Sequence, residues 1–149
     1  MDNPDRWDIF SPMTIAVTQT NTQFDALIVG GSLNGATTAL ALAHAGLTVA
    51  VIDPLSDADQ TAPAFDGRSY ALALAPVRML AALGLWADLA PNAQPILDIK
   101  VSDGRVGRAP SPFVLHFDHR EMGEGPMGQM VEDRHLRAVL LTALDRARG

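Results

Sequence analysis

The chain has no cysteine, which excludes disulfides, thiolate metal sites and thiol nucleophiles. Positive charge is scarce: 11 lysines and arginines face 17 acids, for a net charge of −6. That balance disfavours nucleic acid and an electrostatically bound anionic membrane. Any anion must therefore be held locally, by helix dipoles and single arginines. Aromatics make up only 5% of the residues. Residues 1–23 lack both the basic start and the apolar centre of a signal peptide. They read as a disordered tail, with Met13 an alternative start closer to the first strand. No stretch is long and apolar enough to span a bilayer. Residues 36–52 come nearest, but His44 and Gly46 split them into helix and strand. The histidines show no metal spacing. His116-x-x-His119 has no third ligand nearby and reads as a solvated loop pair.

What remains is a chain of 149 residues, 48% apolar and 19% charged, enough for one globular domain with a sizeable core. Its most informative stretch runs from Phe24 through Ala26-Leu27-Ile28-Val29 to Gly30-Gly31-Ser32-Leu33-Asn34-Gly35. An apolar strand enters a glycine turn that opens a helix. A second apolar run, Thr48 to Ile52, follows and ends in Asp53, 18 residues after Gly35. Strand, glycine turn, helix, strand and acid describe a dinucleotide-binding βαβ unit. Gly30 suits a turn too tight for a side chain. Gly35 removes a side chain where helix and strand pack closely, and Ala39 and Ala43 keep that face small. Gly46 suits a left-handed helix cap. Free N–H groups at the helix start can hold a pyrophosphate, and the acid suits ribose hydroxyls. Ser32 replaces the middle glycine of the motif. Its hydroxyl is itself a donor for a phosphate oxygen. The plainer alternative is an ordinary α/β unit with no nucleotide. The disulfide reductases that share this unit are excluded, because they need a redox cysteine pair after the turn.

Residues 54–67 read as a loop and 68–74 as a short apolar run. Val77, Leu80, Leu83 and Trp86 recur at threes, predicting a helix over 76–90 that ends near Pro91. Residues 96–102 alternate and predict a strand. Asp103-Gly104 marks a turn, and Phe113 to Phe117 can pair antiparallel with that strand. Residues 123–128 read as a glycine-rich loop. Asp133 can cap a last helix running to about Arg148, with Gly149 as its C-cap. Its stripe is Leu136, Val139, Leu140, Ala143, Leu144 and Ala147. Such a crossover helix should deliver a further parallel strand. None follows, so the expected sheet has two parallel strands and the chain reads as the N-terminal part of a larger protein.

In this order and spacing, four stretches resemble the N-terminal part of the FAD-dependent aromatic hydroxylases, most closely those of ubiquinone biosynthesis (2-octaprenylphenol type). They are 25–35 with Asp53; Asp66-Gly67-Arg68-Ser69-Tyr70-Ala71-Leu72 with 80–86; 95–103; and Met130-Val131-Glu132-Asp133-Arg134-His135-Leu136-Arg137. The resemblance covers 24–148. It implies an α/β fold: a Rossmann-like FAD-binding βαβ unit with an antiparallel hairpin, 96–117, from a second, substrate sheet, and incomplete. Residues 24–149 would be the N-terminal part of the FAD-binding domain.

By the same resemblance Gly30, Gly31, Ser32 and Gly35 line the FAD pyrophosphate and Asp53 binds the adenosine ribose, where the family usually has glutamate. Arg68 reaches the FAD phosphates, and Asp133 and Arg137 lie near the cofactor. The plainer alternatives are an Arg68–Asp66 surface pair, and helix capping with a solvated face for Asp133 and Arg137. In such enzymes NAD(P)H reduces FAD, which then activates oxygen to hydroxylate an electron-rich phenol. No catalytic side chain is assigned within these residues. Met79 and Trp86 read as core packing. A polyprenylated phenol substrate implies a cytoplasmic protein peripheral at the inner membrane. The family's Asp-Gly and Gly-Asp cofactor motifs fall beyond residue 149. Two other functions therefore stay open: a nucleotide-binding fragment without activity, and an NAD(P)-dependent dehydrogenase domain. Arg68 and the hairpin speak against the dehydrogenase.

Overall fold

A computed structural model of the chain describes residues 23–147, except 62, 63, 65, 110 and 124. The tail expected over residues 1–23, apart from Gln23, and the cap expected at Gly149 lie outside the described residues.

Two short strands rich in branched residues, β1 (Ala26–Val29) and β2 (Val49–Ile52), pair in parallel, Ala26 with Val49 and Val29 with Ile52. Helix α1 (Leu33–His44) connects them. Its two threonines are weak helix formers, but Thr37 and Thr38 donate their hydroxyls to the carbonyls of Leu33 and Asn34 at 2.6 and 2.8 Å. The helix ends on Gly46 at φ +86°. The Gly46 N–H donates to the carbonyl of Ala43, and the Leu47 N–H to that of Leu42. These are the two bonds of a Schellman cap. Below the pair, Asp25 Oδ2 accepts from both the N–H and the hydroxyl of Thr48, at 2.8 and 2.7 Å, fastening the start of β1 to β2.

Helix α2 (Asp57–Gln60) is a single turn inside the segment expected to be all loop. Strand β3 (Ser69–Ala73) leads into α3 (Leu74–Ala82), then α4 (Trp86–Leu89) and a 3₁₀ turn (Ala90–Asn92). One helix over 76–90 was expected. Instead Gly84, at φ +75°, closes α3, and the chain turns by 119° into α4. Leu85 follows this cap with its N–H on the carbonyl of Leu80. Both leucines are buried.

The strand expected over 96–102 divides at Leu97. Residues Ala93–Ile96 form β4, and Asp98–Ser102 form β5. Strand β4 carries Pro95 at a sheet edge, where a missing N–H is tolerated. Strand β5 pairs antiparallel with β6 (Val114–Asp118), Ile99 opposite Phe117, so the expected hairpin is present with slightly shifted ends. Helix α5 (His119–Met122) follows. His116 and His119 thus sit on a strand and a helix rather than in a loop. His116 Nε2 lies 2.6 Å from Asp98 Oδ1, and His119 Nδ1 lies 3.1 Å from the Leu97 carbonyl.

Residues Gly128–Glu132 form β7, which the sequence does not announce. It is the centre of an antiparallel sheet in the order β3-β7-β4. Helix α6 (Asp133–Arg146) leaves it directly and packs against α1. One apolar cluster joins Ala36 and Leu40 of α1, Leu80, Leu85, Leu89, Val131 of β7, and Leu136 and Leu140 of α6. Trp86 packs against it as expected. Met79 does not; it is exposed. On α1 the buried face is Ala36, Ala39 and Leu40, whereas Ala43 is exposed in the last turn. Leu27 and Val29 of β1 are 66% and 84% exposed, and every residue of β5 is exposed. Among the described residues no single helix is long and apolar enough to cross a membrane.

Candidate cofactor site

The glycine turn joins β1 to α1. Gly30 takes φ +98°, a conformation that side chains disfavour, and its N–H still donates to the carbonyl of Ile52 at 2.8 Å. The chain then doubles back so closely that a Cβ on Gly35 would stand 1.7 Å from the Gly30 carbonyl oxygen. Gly35 is therefore required by the turn's own backbone more than by strand side chains. Ser32 is the N-cap of α1, but its side chain makes no capping bond. The first N–H groups of the helix, normally satisfied by such a side chain, are left for another acceptor. Ser32 needs no glycine conformation, since its φ is −69°.

Asp53 follows the last residue of β2. Its Oδ2 accepts from the Gly31 N–H at 2.6 Å and its Oδ1 from the Leu55 N–H at 2.9 Å. The acid predicted to meet a ribose is thus also a clasp that holds the glycine turn. Each oxygen retains a lone pair for a further donor. The Leu55 N–H, then the Gly31 N–H, hold this carboxyl below the usual carboxylate range. Partial burial opposes them, and the charge of Arg137 assists. A carboxyl depressed by folding stabilises the fold above its unfolded value of about 3.9, and that contribution is lost as pH falls through the folded value. Asp53→Asn is therefore expected to flatten the acid limb of a plot of unfolding midpoint against pH. A limb as steep as that of the unmodified chain would contradict the clasp.

Arg68 precedes β3. Its Nε donates to Asp66 Oδ2 at 2.6 Å, its N–H donates to Asp66 Oδ1 at 3.0 Å, and its Nη2 stands 3.0 Å from Asp133 Oδ2. The surface pair with Asp66 is therefore present, and a second, buried acid joins it. Asp133 does not cap α6: Glu132 holds the N-cap position, and Asp133 is 2% exposed with its Oδ2 accepting from Arg137 Nε at 2.6 Å. The solvated-face alternative fails for Arg137 too, whose side chain is 14% exposed. The Asp133 N–H donates to the Arg68 carbonyl at 3.1 Å, so β3 and α6 start side by side.

Three cavities surround these groups. One of about 280 Å³ is lined by Asp66, Arg68, Asp133, Arg134 and Arg137, with Gln60. A second, about 690 Å³, includes Gly31, Val51, Asp53 and Gln60. The third, about 620 Å³, lies against Gly30, Ser32, Asn34, Gly35 and Tyr70, and takes in the exposed Met79. Gln60 is 7% exposed and borders two of them. Sequence reading missed it, because a polar residue in a single helical turn, within a segment read as loop, carries no periodic signal. These groups suit a diphosphate attached to a nucleoside: uncapped helix N–H groups and two guanidinium groups as donors, and an acid at the end of β2 as an acceptor for ribose hydroxyls.

Comparison with known proteins agrees with this chemistry. Residues 23–131 match the family model described as FAD binding domain. Ubiquinone hydroxylase UbiL of Rhodospirillum rubrum is 49% identical over 122 residues, covering 82% of this chain and 27% of that protein. Ubiquinone hydroxylase UbiM of Neisseria meningitidis is 31% identical over 120 residues, covering 76% of this chain and 24% of that protein. The chain thus spans about a quarter of the length of these relatives. In fold it resembles p-nitrophenol 4-monooxygenase PnpA from Pseudomonas putida, with a TM-score of 0.62 at 21% identity over 83% of this chain and 29% of that one. The chain belongs to the FAD-binding domain family, and FAD is its cofactor.

Proposed function

We propose that this chain holds the ADP part of FAD, with Rossmann-like geometry, in a flavin-dependent hydroxylase of ubiquinone biosynthesis that acts on a polyprenylated phenol. The observation that carries the reading is the uncapped start of α1, packed onto a turn that only glycine at residue 35 permits. In it Gly30, Gly31, Ser32 and Gly35 line the diphosphate, Asp53 takes a ribose hydroxyl on its free lone pairs, and Arg68 adds a charged donor. Arg137 and Asp133 stand behind Arg68. Two relatives named as ubiquinone hydroxylases support the substrate class. When bound and reduced by NAD(P)H, FAD supplies the oxygen-activating chemistry. This chain's residues bind and orient it. The β5–β6 hairpin belongs to a substrate sheet, and the lipid tail of the substrate puts the protein at the inner membrane's cytoplasmic surface.

The test is direct. The purified protein should show a bound-flavin absorption band. With NADH or NADPH, oxygen and a polyprenylated phenol, it should give a product heavier by one oxygen atom. No flavin band and no product would sink the reading. Flavin or nucleotide binding without product supports a second reading, a nucleotide-holding piece without turnover. The bare faces of β1 and β5 favour it. The dehydrogenase alternative gains nothing, because β2 is followed by an antiparallel sheet rather than by repeated helix–strand units.

Arg68→Ala is expected to weaken FAD retention about 10-fold, the size of one half-exposed charge-assisted bond to phosphate. Equilibrium dialysis measures it, and unchanged retention would remove Arg68 from the phosphate site.

A further inference from the structure

Asp133 is the feature that the proposed function leaves unexplained. Its carboxylate is kept from water, yet one oxygen receives both guanidinium groups while Oδ1 has no partner. A buried acceptor without a donor destabilises the fold, and two cations on one oxygen do not relieve it. What the carboxylate does provide is its hold on its neighbours. Those neighbours are long, flexible side chains that lose much rotamer freedom when fixed. Asp133 fixes both from inside the protein. Arg137 is held by Nε alone, and Arg68 by Nε and Nη2. Among the described residues Nη1 of Arg68 and both terminal nitrogens of Arg137 have no partner. Arg137 also lies close enough to Asp53 to act on its charge. Charges of alternating sign therefore run from the glycine turn through Asp53, Arg137, Asp133 and Arg68 to Asp66.

We propose that Asp133 is a positioning residue. It holds Arg68 and Arg137 with their remaining N–H groups turned to one anion, the FAD diphosphate, and does not touch the cofactor itself. This rests on the reading of Arg68 as a phosphate contact. The sign of the effect separates the role from simple electrostatics. A carboxylate beside an anion site repels the anion, so charge alone predicts tighter binding when Asp133 is removed. Positioning predicts weaker binding.

The experiment is calorimetric titration of the purified, flavin-stripped protein with ADP and, separately, with adenosine, which lacks the diphosphate. Asp133→Ala should weaken ADP about 10-fold and leave adenosine unchanged. Asp133→Asn, which retains an acceptor oxygen, should recover most of the loss and remain about 2-fold weaker than the unmodified protein. Asp133→Ala added to Arg68→Ala and Arg137→Ala should weaken ADP no further than those two changes together. Tighter or unchanged ADP binding in Asp133→Ala overturns the proposal, as does an equal loss for adenosine. If Asp133→Ala does not fold, Asp133→Asn decides by the same sign. If Arg68→Ala leaves ADP binding intact, the phosphate reading of Arg68 fails and the positioning role falls with it. If Arg68→Ala weakens ADP while Asp133→Ala does not, the positioning role alone fails.

Discussion

Gly35→Ala is expected to abolish flavin retention and to lower stability by roughly 3 kcal/mol or more, at the upper end of overpacking costs. The added methyl would stand 1.7 Å from the Gly30 oxygen and 2.9 Å from the Gly30 carbon. Both are backbone atoms, so no side chain can swing aside. Gly30 cannot retreat freely either, since its N–H is bonded to Ile52 and its φ is already positive. The relief left is to lift α1 off the turn, which scatters the N–H groups meant for phosphate. Chemical denaturation and the flavin spectrum of the purified variant measure the two effects separately. A denaturation midpoint matching the parent would show that the close approach is not a constraint.

Leu140→Ala should cost about 2–5 kcal/mol, the range for emptying a buried leucine site. The unfolding temperature should fall on the order of 10 °C. Leu140 is 2% exposed on α6 and belongs to the cluster that unites α1 of the βαβ unit with Val131 of the antiparallel sheet. Its loss opens a void where two separately hydrogen-bonded sheets depend on apolar contact. That contact, rather than strand pairing, joins them, because β1 and β2 share no ladder with β3, β7 and β4. Differential scanning calorimetry reads the effect. A shift of only a degree or two would mean that α6 is not the link.

The parts of the fold legible in the sequence are those where a local steric demand selects one residue type. Gly30, Gly35 and Gly46 mark the turn and the cap because their backbones exclude other residues, and the α6 stripe follows helical spacing onto the core. What was missed lacks such a mark. Strand β7 is central, with Gly128 and Val131 buried and the rest half-buried, so it does not alternate, and its first residue extends the glycine-rich segment before it. Gly128 is needed there, since a Cβ would meet the Leu72 oxygen at 2.4 Å, but glycine in sequence suggests a loop. The spacing of Val77, Leu80, Leu83 and Trp86 passes through Gly84 undisturbed and conceals the corner. In the site, an acid at the start of a helix looks like a cap. That Asp133 is buried under two arginines depends on β3 and α6 beginning together, a long-range pairing with no period to betray it.

The parallel pair is riveted at both ends, by Asp25 to Thr48 and by Gly31 to Asp53. Strands advance about 3.3 Å per residue. An insertion of one residue between Thr48 and Asp53 would therefore break one rivet or the other. The length of β2 is in effect a gauge that sets how deep the glycine turn sits against its acid. Between Thr48 and Asp53 the chain therefore tolerates no change of length.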